Sequence, residues 1–411
     1  MTETSNHIKP NKYRRKEKMR RIKIVFSLFI LVALMGSFGS MAIQGEEDPS
    51  IRNLQERIEA LEAQVNTAPP EAAAIPEPEK QARLYDDLFE KKFLEDGIEI
   101  VPGVVLSGLL EVEANYETLK KDEGGYEHNS DITLATFELG LDVNVIKYVH
   151  GHALLLWEED GTEPIDLDEG IITLGLEEDF PYFLAAGKLY VPFGVFESHM
   201  ISDPLTLELG ETRSTAVLIG MEDDLFVASV GTFKGDIQKT DQGDRINTLV
   251  AAVDLTMVEG LTAGLSYMTD ISGAGGLVDF FPDSEVKEYV GGISAYFVYE
   301  IGPVVLNGEY LGALKEFKDI PDSGSAGTDL EGMEPKAWNF EVAYLFEDMD
   351  WEVGFRYEGS NDFPGFPIGQ GGATLSWGVL PNTTLATEFL YGEFKNNDKR
   401  YLTTTQLAFE F

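Results

Sequence analysis

The chain has 411 residues, 43 % of them hydrophobic, a net charge of -41 and no cysteine. Without cysteine there is no disulfide, no thiol nucleophile, no thiolate metal site and no lipid-anchor thiol. A chain this acidic repels the phosphate backbone, which excludes nucleic acid as a partner, and it favours cations near its surface.

The charge is uneven. Nine of the 31 Lys+Arg residues lie within 1–42. Lys9 to Lys23 form a basic stretch, Ile24 to Met35 an apolar one, and Ser40-Met41-Ala42 a small-residue cleavage pattern. This order predicts a signal peptide over 1–42. The apolar core is shorter than the ~20 residues that a membrane-spanning helix needs.

Within 43–66, Ile51, Leu54, Ile58, Leu61 and Val65 recur at alternating spacings of three and four. That is the seam of a short coiled coil of about two heptads. Such a seam adds to the stability of chains that already associate, and it leaves a homotrimer or a dimer open. Pro69, Pro70, Pro76 and Pro78 then mark a Pro/Ala-rich linker over 67–102. Leu84, Leu88, Phe89, Phe93 and Leu94 predict a brief helix at its end.

From 103 to 411 the period changes to two. Phe137, Leu139, Leu141 and Val143 alternate with Glu138, Gly140, Asp142 and Asn144. Val353, Phe355 and Tyr357 alternate with Glu352, Gly354, Arg356 and Glu358. Each such run is a strand with one apolar and one polar face. Sixteen are predicted, near 104–116, 130–145, 149–158, 167–176, 182–190, 214–221, 225–233, 246–255, 261–270, 288–300, 304–313, 335–346, 351–359, 371–380, 383–394 and 401–411.

Their connections alternate between short turns and long polar loops. An even strand number with this asymmetry predicts an all-β membrane protein: a sixteen-stranded antiparallel transmembrane β-barrel over 103–411, lipid outside and water inside. Trp157, Tyr299, Tyr310, Tyr344, Trp351, Trp377, Tyr391 and Tyr401 stand at strand ends, as aromatic girdles do.

The last strand ends in Phe409-Glu410-Phe411. It resembles the closing strand of bacterial outer-membrane barrels, whose terminal aromatic is read by the barrel-assembly machinery. That resemblance implies export to the outer membrane, with lipid and lipopolysaccharide as surroundings.

With the apolar faces turned to lipid, the lumen receives Glu111, Glu113, Glu138, Asp142, Glu158, Glu309, Glu341, Glu352 and Glu388, against Arg356 as one of few bases. A ring of acids selects cations. A phosphate-selective pore needs a ladder of Lys or Arg, which these strands lack.

The third long loop follows Pro192-Phe193-Gly194. Gly194 and Gly210 permit bends. Phe193, Phe196, Leu205, Leu207 and Leu209 are available to pack the loop on the wall. Glu197, Asp203, Glu208, Glu211 and Arg213 are then presented to the pore as constriction residues.

The stretch Asp168 to Gly175, together with Ala186 to Arg213, resembles the LbtU-type siderophore porin family. The resemblance extends through the barrel and to the coiled-coil N-terminus, and about 45 residues, spanning 168–213, carry most of its specificity. It implies a passive outer-membrane channel for a small solute or a ferric siderophore. Residues 43–100 are too few for the plug domain of a 22-stranded receptor.

No cofactor motif and no metal-ligand spacing is present. His150 and His152 share a strand face without a third ligand. Ser198, His199 and Asp203 lack the strand–turn–helix frame of a hydrolase nucleophile, so the expectation is a channel and not an enzyme. Three functions remain in view: a siderophore porin, a general cation-preferring porin, and a structural envelope barrel or tether.

Overall fold

The computed structural model describes Phe93–Leu94 and residues 97–411, except 160–163, 178–179, 241–242, 282–284, 319, 321–329 and 347–348. The expected signal peptide, the coiled-coil seam and most of the linker lie outside the described residues.

Sixteen long strands follow in chain order: β1 Val104–Lys120, β2 Tyr126–Ile146, β3 Val149–Trp157, β4 Asp166–Glu177, β5 Phe180–Tyr190, β6 Arg213–Asp223, β7 Phe226–Phe233 and β8 Thr248–Val258. The second half is β9 Leu261–Met268, β10 Gly292–Ile301, β11 Val304–Ala313, β12 Lys336–Phe346, β13 Trp351–Asn361, β14 Gly369–Leu380, β15 Thr383–Glu393 and β16 Lys399–Glu410. Each pairs antiparallel with its chain neighbours. β16 pairs with β1 from Lys399↔Lys120 to Glu410↔Leu109, which closes the sheet into a barrel. Closure satisfies both edges, and an open edge could not be left in lipid.

The terminal Phe411 extends the closure by one residue. Gly108 N donates to Phe411 O at 2.8 Å, and Phe411 N donates to Gly108 O at 3.0 Å. Beyond it, the free start of β1 pairs with a short strand, Gly97–Val101, which in turn pairs with Phe93–Leu94. Phe93 and Leu94 are therefore extended, and the helix expected to end there does not include them.

The first long loop is also shorter than expected. β1 and β2 run on as a ribbon, so the predicted loop 117–129 contracts to 121–125. The alternation of polar residues over Glu113–Glu117 and Asn129–Thr133 is itself a strand pattern with water on one face.

The two faces are sorted as the period predicted. Val112, Tyr116, Ile172, Val217, Ile219, Leu265, Phe355, Tyr357, Phe389 and Leu407 are all exposed outward. A belt of such side chains is stable only against lipid, since each costs about 1.5–3 kcal/mol when left in water. Aromatic pairs mark its rims: Trp351 stacks on Trp377 at 5.2 Å between centroids, and Tyr391 meets Tyr401 at 5.2 Å.

Part of the interior is filled. Long connections at one end of the barrel fold inward and bury an apolar cluster that includes Phe193, Leu205, Leu209, Ile237, Ile271, Leu277, Phe281 and Phe317. Leu218, Val250, Met268, Leu311 and Ala337 supply the wall beneath it. Here the inner face of the barrel is apolar because a loop, not water, covers it.

Candidate functional site: an inward loop held by wall carboxylates

The connection from β5 to β6, residues 191–212, is the loop predicted to enter the lumen. It contains α1, Leu205–Gly210. Its two ends are tied together by Val191 N donating to Thr212 O at 2.9 Å.

Two things hold the loop. The first is apolar: Phe193, Leu205 and Leu209 are fully buried, and Leu311 fits against Gly210 where any side chain would collide. Gly210 is thus required for close approach to β11. It has no left-handed backbone, so the bend expected there is not its reason. Gly194 does need its freedom, with φ +91° and Glu309 3.0 Å from where a Cβ would stand. Phe196 adopts φ +59° beside it, a strained position for an aromatic that the surrounding bonds must maintain.

The second is a clasp of inward carboxylates. Glu309 on β11 accepts from Val195 N at 3.0 Å, Phe196 N at 3.1 Å and Thr206 Oγ1 at 3.1 Å. Glu341 on β12 accepts from His199 N at 2.7 Å and Ser198 Oγ at 3.1 Å. Glu358 on β13 accepts from Leu205 N at 2.7 Å. Glu388 on β15 accepts from Ile201 N at 2.8 Å and Ser202 N at 3.2 Å. Ser266 on β9 accepts from Gly194 N, and Asn307 donates to Glu197 O.

Arg356 completes the clasp. It donates to Glu341 at 2.6 Å, to Ser202 O at 2.7 Å and to Asp203 O at 3.1 Å. Hydrogen bonds from backbone N–H to ionised acceptors are among the stronger kind, each about 1.5–3 kcal/mol net. Repeated along the loop, they fix its path from β9 to β15 and back.

This corrects the reading of the lumen charges. Glu309, Glu341, Glu388 and Arg356 do point inward, but they are buried under the loop and do not face water. Glu352 is half-way: it accepts from His199 Nδ1 at 2.7 Å and stays partly exposed. That bond holds the His199 imidazole above its usual pKa. Glu111, Glu113, Glu138 and Asp142 lie clear of the loop contacts. Glu113 accepts from Gln406 at 2.9 Å, and Asp142 pairs with His152 at 2.8 Å.

Arg213 is corrected likewise. It pairs with the buried Asp168 and lies 3.5 Å from Asp166, which also holds Lys188 at 2.8 Å. The predicted pore base is therefore an ion-pair lock at the root of the loop. Pro192 is partly buried beside Phe193.

Asp203, Glu208 and Glu197 keep exposed side chains. Glu211 is half-buried, and enclosure by protein, then Asp203, Glu158 and Glu208 nearby, push its pKa up to about 7. His150 is held by Asn144 and Gly175 O, and Ser198, His199 and Asp203 bond to the clasp residues Glu341, Glu352 and Arg356 and not to one another.

Glu358, Ser266 and Asn307 were not singled out by sequence, nor was Ser294, whose Oγ donates to Glu309 at 3.1 Å. The available signal was the crowding of acids on one face of β11–β15 with Arg356 as a base among them. Carboxylates so dense need donors, and loop amides are the nearest supply.

No protein-family model matches the chain. A UPF0422 protein of Coxiella burnetii is 26 % identical over 260 residues, 60 % of this chain and 54 % of that protein. A UPF0422 protein of Legionella pneumophila (strain Paris) is 25 % identical over 191 residues, 43 % of this chain and 35 % of that protein. The chain thus spans about half, or less, of the length of these curated relatives.

Among solved structures, the outer membrane channel DcaP of Acinetobacter baumannii superposes with a TM-score of 0.54 at 13 % identity, over 77 % of this chain and 100 % of that one. An anion-selective porin from Comamonas acidovorans gives 0.52 at 13 %, over 75 % and 99 %. OprB of Pseudomonas putida gives 0.51 at 12 %, over 75 % and 94 %. The fold is that of a sixteen-stranded outer-membrane porin barrel.

Proposed function

We propose that the chain is a passive, water-filled diffusion channel of a bacterial outer membrane, preferring small cations. The observation that carries this is the loop 191–212. A loop clasped inside a barrel, with Asp203 and Glu208 exposed and Glu211 half-buried on it, narrows the lumen and gives the narrowing a negative field. The apolar outer belt and the porin barrels that superpose on this one support the placement in the outer membrane. The signal peptide over 1–42 supplies the route of export, and Phe409 and Phe411 the mark for assembly. The seam at Ile51, Leu54, Ile58, Leu61 and Val65 reinforces a trimer or dimer of barrels.

A second reading is passage of a ferric siderophore. It is supported by the resemblance of residues 168–175 and 186–213 to the LbtU-type porins. A neutral or cationic chelate fits an acidic lumen better than an anionic one.

The test is a planar-bilayer recording of purified protein across a KCl gradient, repeated with candidate ferric siderophores as blockers. A reversal potential on the K⁺ side is expected, and a Cl⁻-selective value overturns the cation reading. Concentration-dependent block by a siderophore favours the second reading. Deleting 192–212 should raise conductance with the barrel still heat-modifiable.

A further inference from the structure

Inward charge is spread around most of this barrel, but the space for water is not. The apolar cluster fills the sector from β5 to β12, and the clasp seals the loop onto β11, β12, β13 and β15. Space remains on the opposite side. A polar cavity of about 360 Å³ lies between the loop tip, Ile201 and Ser202, and Glu113, Glu117, Asp131 and Thr404 of the wall. A second, of about 380 Å³, lies between Glu138, Asp142, Asn382 and Glu410. Both are bounded by β1, β2 and β16, the first near the start of β16 and the second at its end.

The backbone explains why acids from both stretches of β2 point into this space. Its register against β1 shifts between Glu111 and Val112. The extra residue of a bulge flips the alternation. Glu138 and Asp142, at even positions, therefore face the second cavity, while Asp131 and Thr133, at odd positions, face the first. Without the bulge one of the two sets would face lipid.

Resting on the channel reading above, we infer that the conduction path is off-centre. Solutes pass between the loop tip Ile201–Ser202 and strands β16, β1 and β2. The wall's share of charge selection, added to that of the loop acids, is made there by Glu113, Glu117 and Asp131. The more numerous carboxylates on β11–β15 position the loop and take no direct part. A charge buried beneath the loop is already matched by amide donors, so its field in the path is largely spent on those donors. A charge at the gap is less fully matched: Glu113 accepts from Gln406 and Asp131 from Ile132 N, against four donors on Glu309, so more of its field reaches the permeating ion. The solutes selected are small hydrated cations, because the gap is lined by carboxylates, amides and hydroxyls, with Ile201 and Leu402 as its apolar contacts.

The absence of cysteine makes the test direct. Single variants Asn115→Cys and Thr133→Cys would be compared with Asn307→Cys and Asn339→Cys, each in a lipid bilayer with a water-soluble methanethiosulfonate added. Asn307 and Asn339 are buried on β11 and β12, whereas Asn115 and Thr133 line the gap and are only partly buried. A loss of current is expected for the first two and none for the second two. Equal loss in both pairs, or loss only in the second, overturns the off-centre path. The charge assignment is read separately. Glu113→Gln with Asp131→Asn should shift the reversal potential towards Cl⁻ further than Glu309→Gln does; a larger shift from Glu309→Gln overturns the assignment. Labelling reports the path whatever ion the channel prefers. A wild-type channel that is not cation-selective therefore counts against the function above, and the labelling pattern alone decides the path. Heat-modifiability on gels confirms that each variant is folded.

Discussion

Arg356 Nε lies 2.6 Å from Glu341 Oε1, on neighbouring strands, and the two side chains are 0 % and 1 % exposed. An ion pair this dry sits inside a barrel otherwise built around water. It is tolerable because every face of the guanidinium is used: Glu341, Glu358, Ser198, Ser202 and the carbonyl of Asp203 all accept from it. The pair therefore fixes the loop tip as well as itself.

Replacing Arg356 by Met should cost about 3–5 kcal/mol, because Glu341 and Glu358 stay buried with their cation gone. The loss should appear in the loop before the barrel. Single-channel recordings should show higher and noisier conductance, while gel mobility before heating stays that of a folded barrel. Lys at this position should rescue little, because an ammonium lacks the planar fork that serves five acceptors. Wild-type conductance in Arg356→Met would show that the clasp does not hold the constriction.

Gly194→Ala tests the entry to the loop. The new methyl group meets the Phe196 ring and Glu309, at a φ that only glycine adopts freely. The strain is about 1–3 kcal/mol. It should loosen the bonds from Val195 and Phe196 to Glu309 and speed proteolysis within 191–212. Gly365→Ala, at φ +85° in another loop with nothing near its Cβ, is the control for backbone strain alone. If both variants are cleaved at the wild-type rate, the local geometry at Gly194 is not what holds the loop.

The barrel was legible because a period of two repeated sixteen times leaves little choice: inner and outer faces are written in alternate residues, and turns in the polar gaps. The loop was legible in part. Phe193, Leu205 and Leu209 are apolar where a solvated loop would be polar, and they are buried as expected. What could not be read was the partner of each inward acid. Glu113 and Glu309 look alike in their strands, each flanked by small or apolar residues. Only the path of the loop, set by contacts more than a hundred residues apart, decides that Glu309 is covered and Glu113 is not. The bulge at Glu111–Val112 was hidden for the same reason, since a one-residue slip has no composition of its own.

Phe411 closes the barrel by pairing with Gly108, and its ring lies where a Cβ on Gly108 would stand, 2.6 Å away. Phe409 lies beside it, at 5.8 Å between ring centroids. Phe411→Asp would put a charge on the lipid face next to the seam. The amount of heat-modifiable barrel in outer-membrane fractions should fall sharply, and Phe411→Tyr should restore most of it. Gly108→Leu should mimic the Asp variant by displacing the ring. Normal levels of the Asp variant would mean that the terminal aromatic is not needed for assembly.

Glu211 gives the channel a pH response close to neutrality. Protein enclosure and the charges of Asp203, Glu158 and Glu208 disfavour its carboxylate, so its pKa stands at about 7 instead of near 4.5. The sign follows from linkage. The folded chain binds this proton more tightly than the unfolded chain, so the stability it contributes is fully present below the ordinary carboxylate pKa and is lost as pH rises through about 7. The electrical effect runs the other way. Over about one pH unit either side of that pKa the group gains its charge. A negative charge joins Asp203 and Glu208 on the loop and Glu158 on the wall, and K⁺ preference grows. Reversal potentials at fixed KCl gradient should therefore move further towards K⁺ between about pH 6 and 8. In Glu211→Gln that movement should shrink to the part supplied by His199, whose imidazole is held above its usual pKa by Glu352 and loses its charge in the same direction, and in Glu211→Gln with His199→Gln it should be absent. High salt should flatten both curves, as screening shortens the reach of each charge to about 3 Å near 1 M. A Glu211→Gln channel that keeps the whole of the neutral-pH movement would assign it to another group.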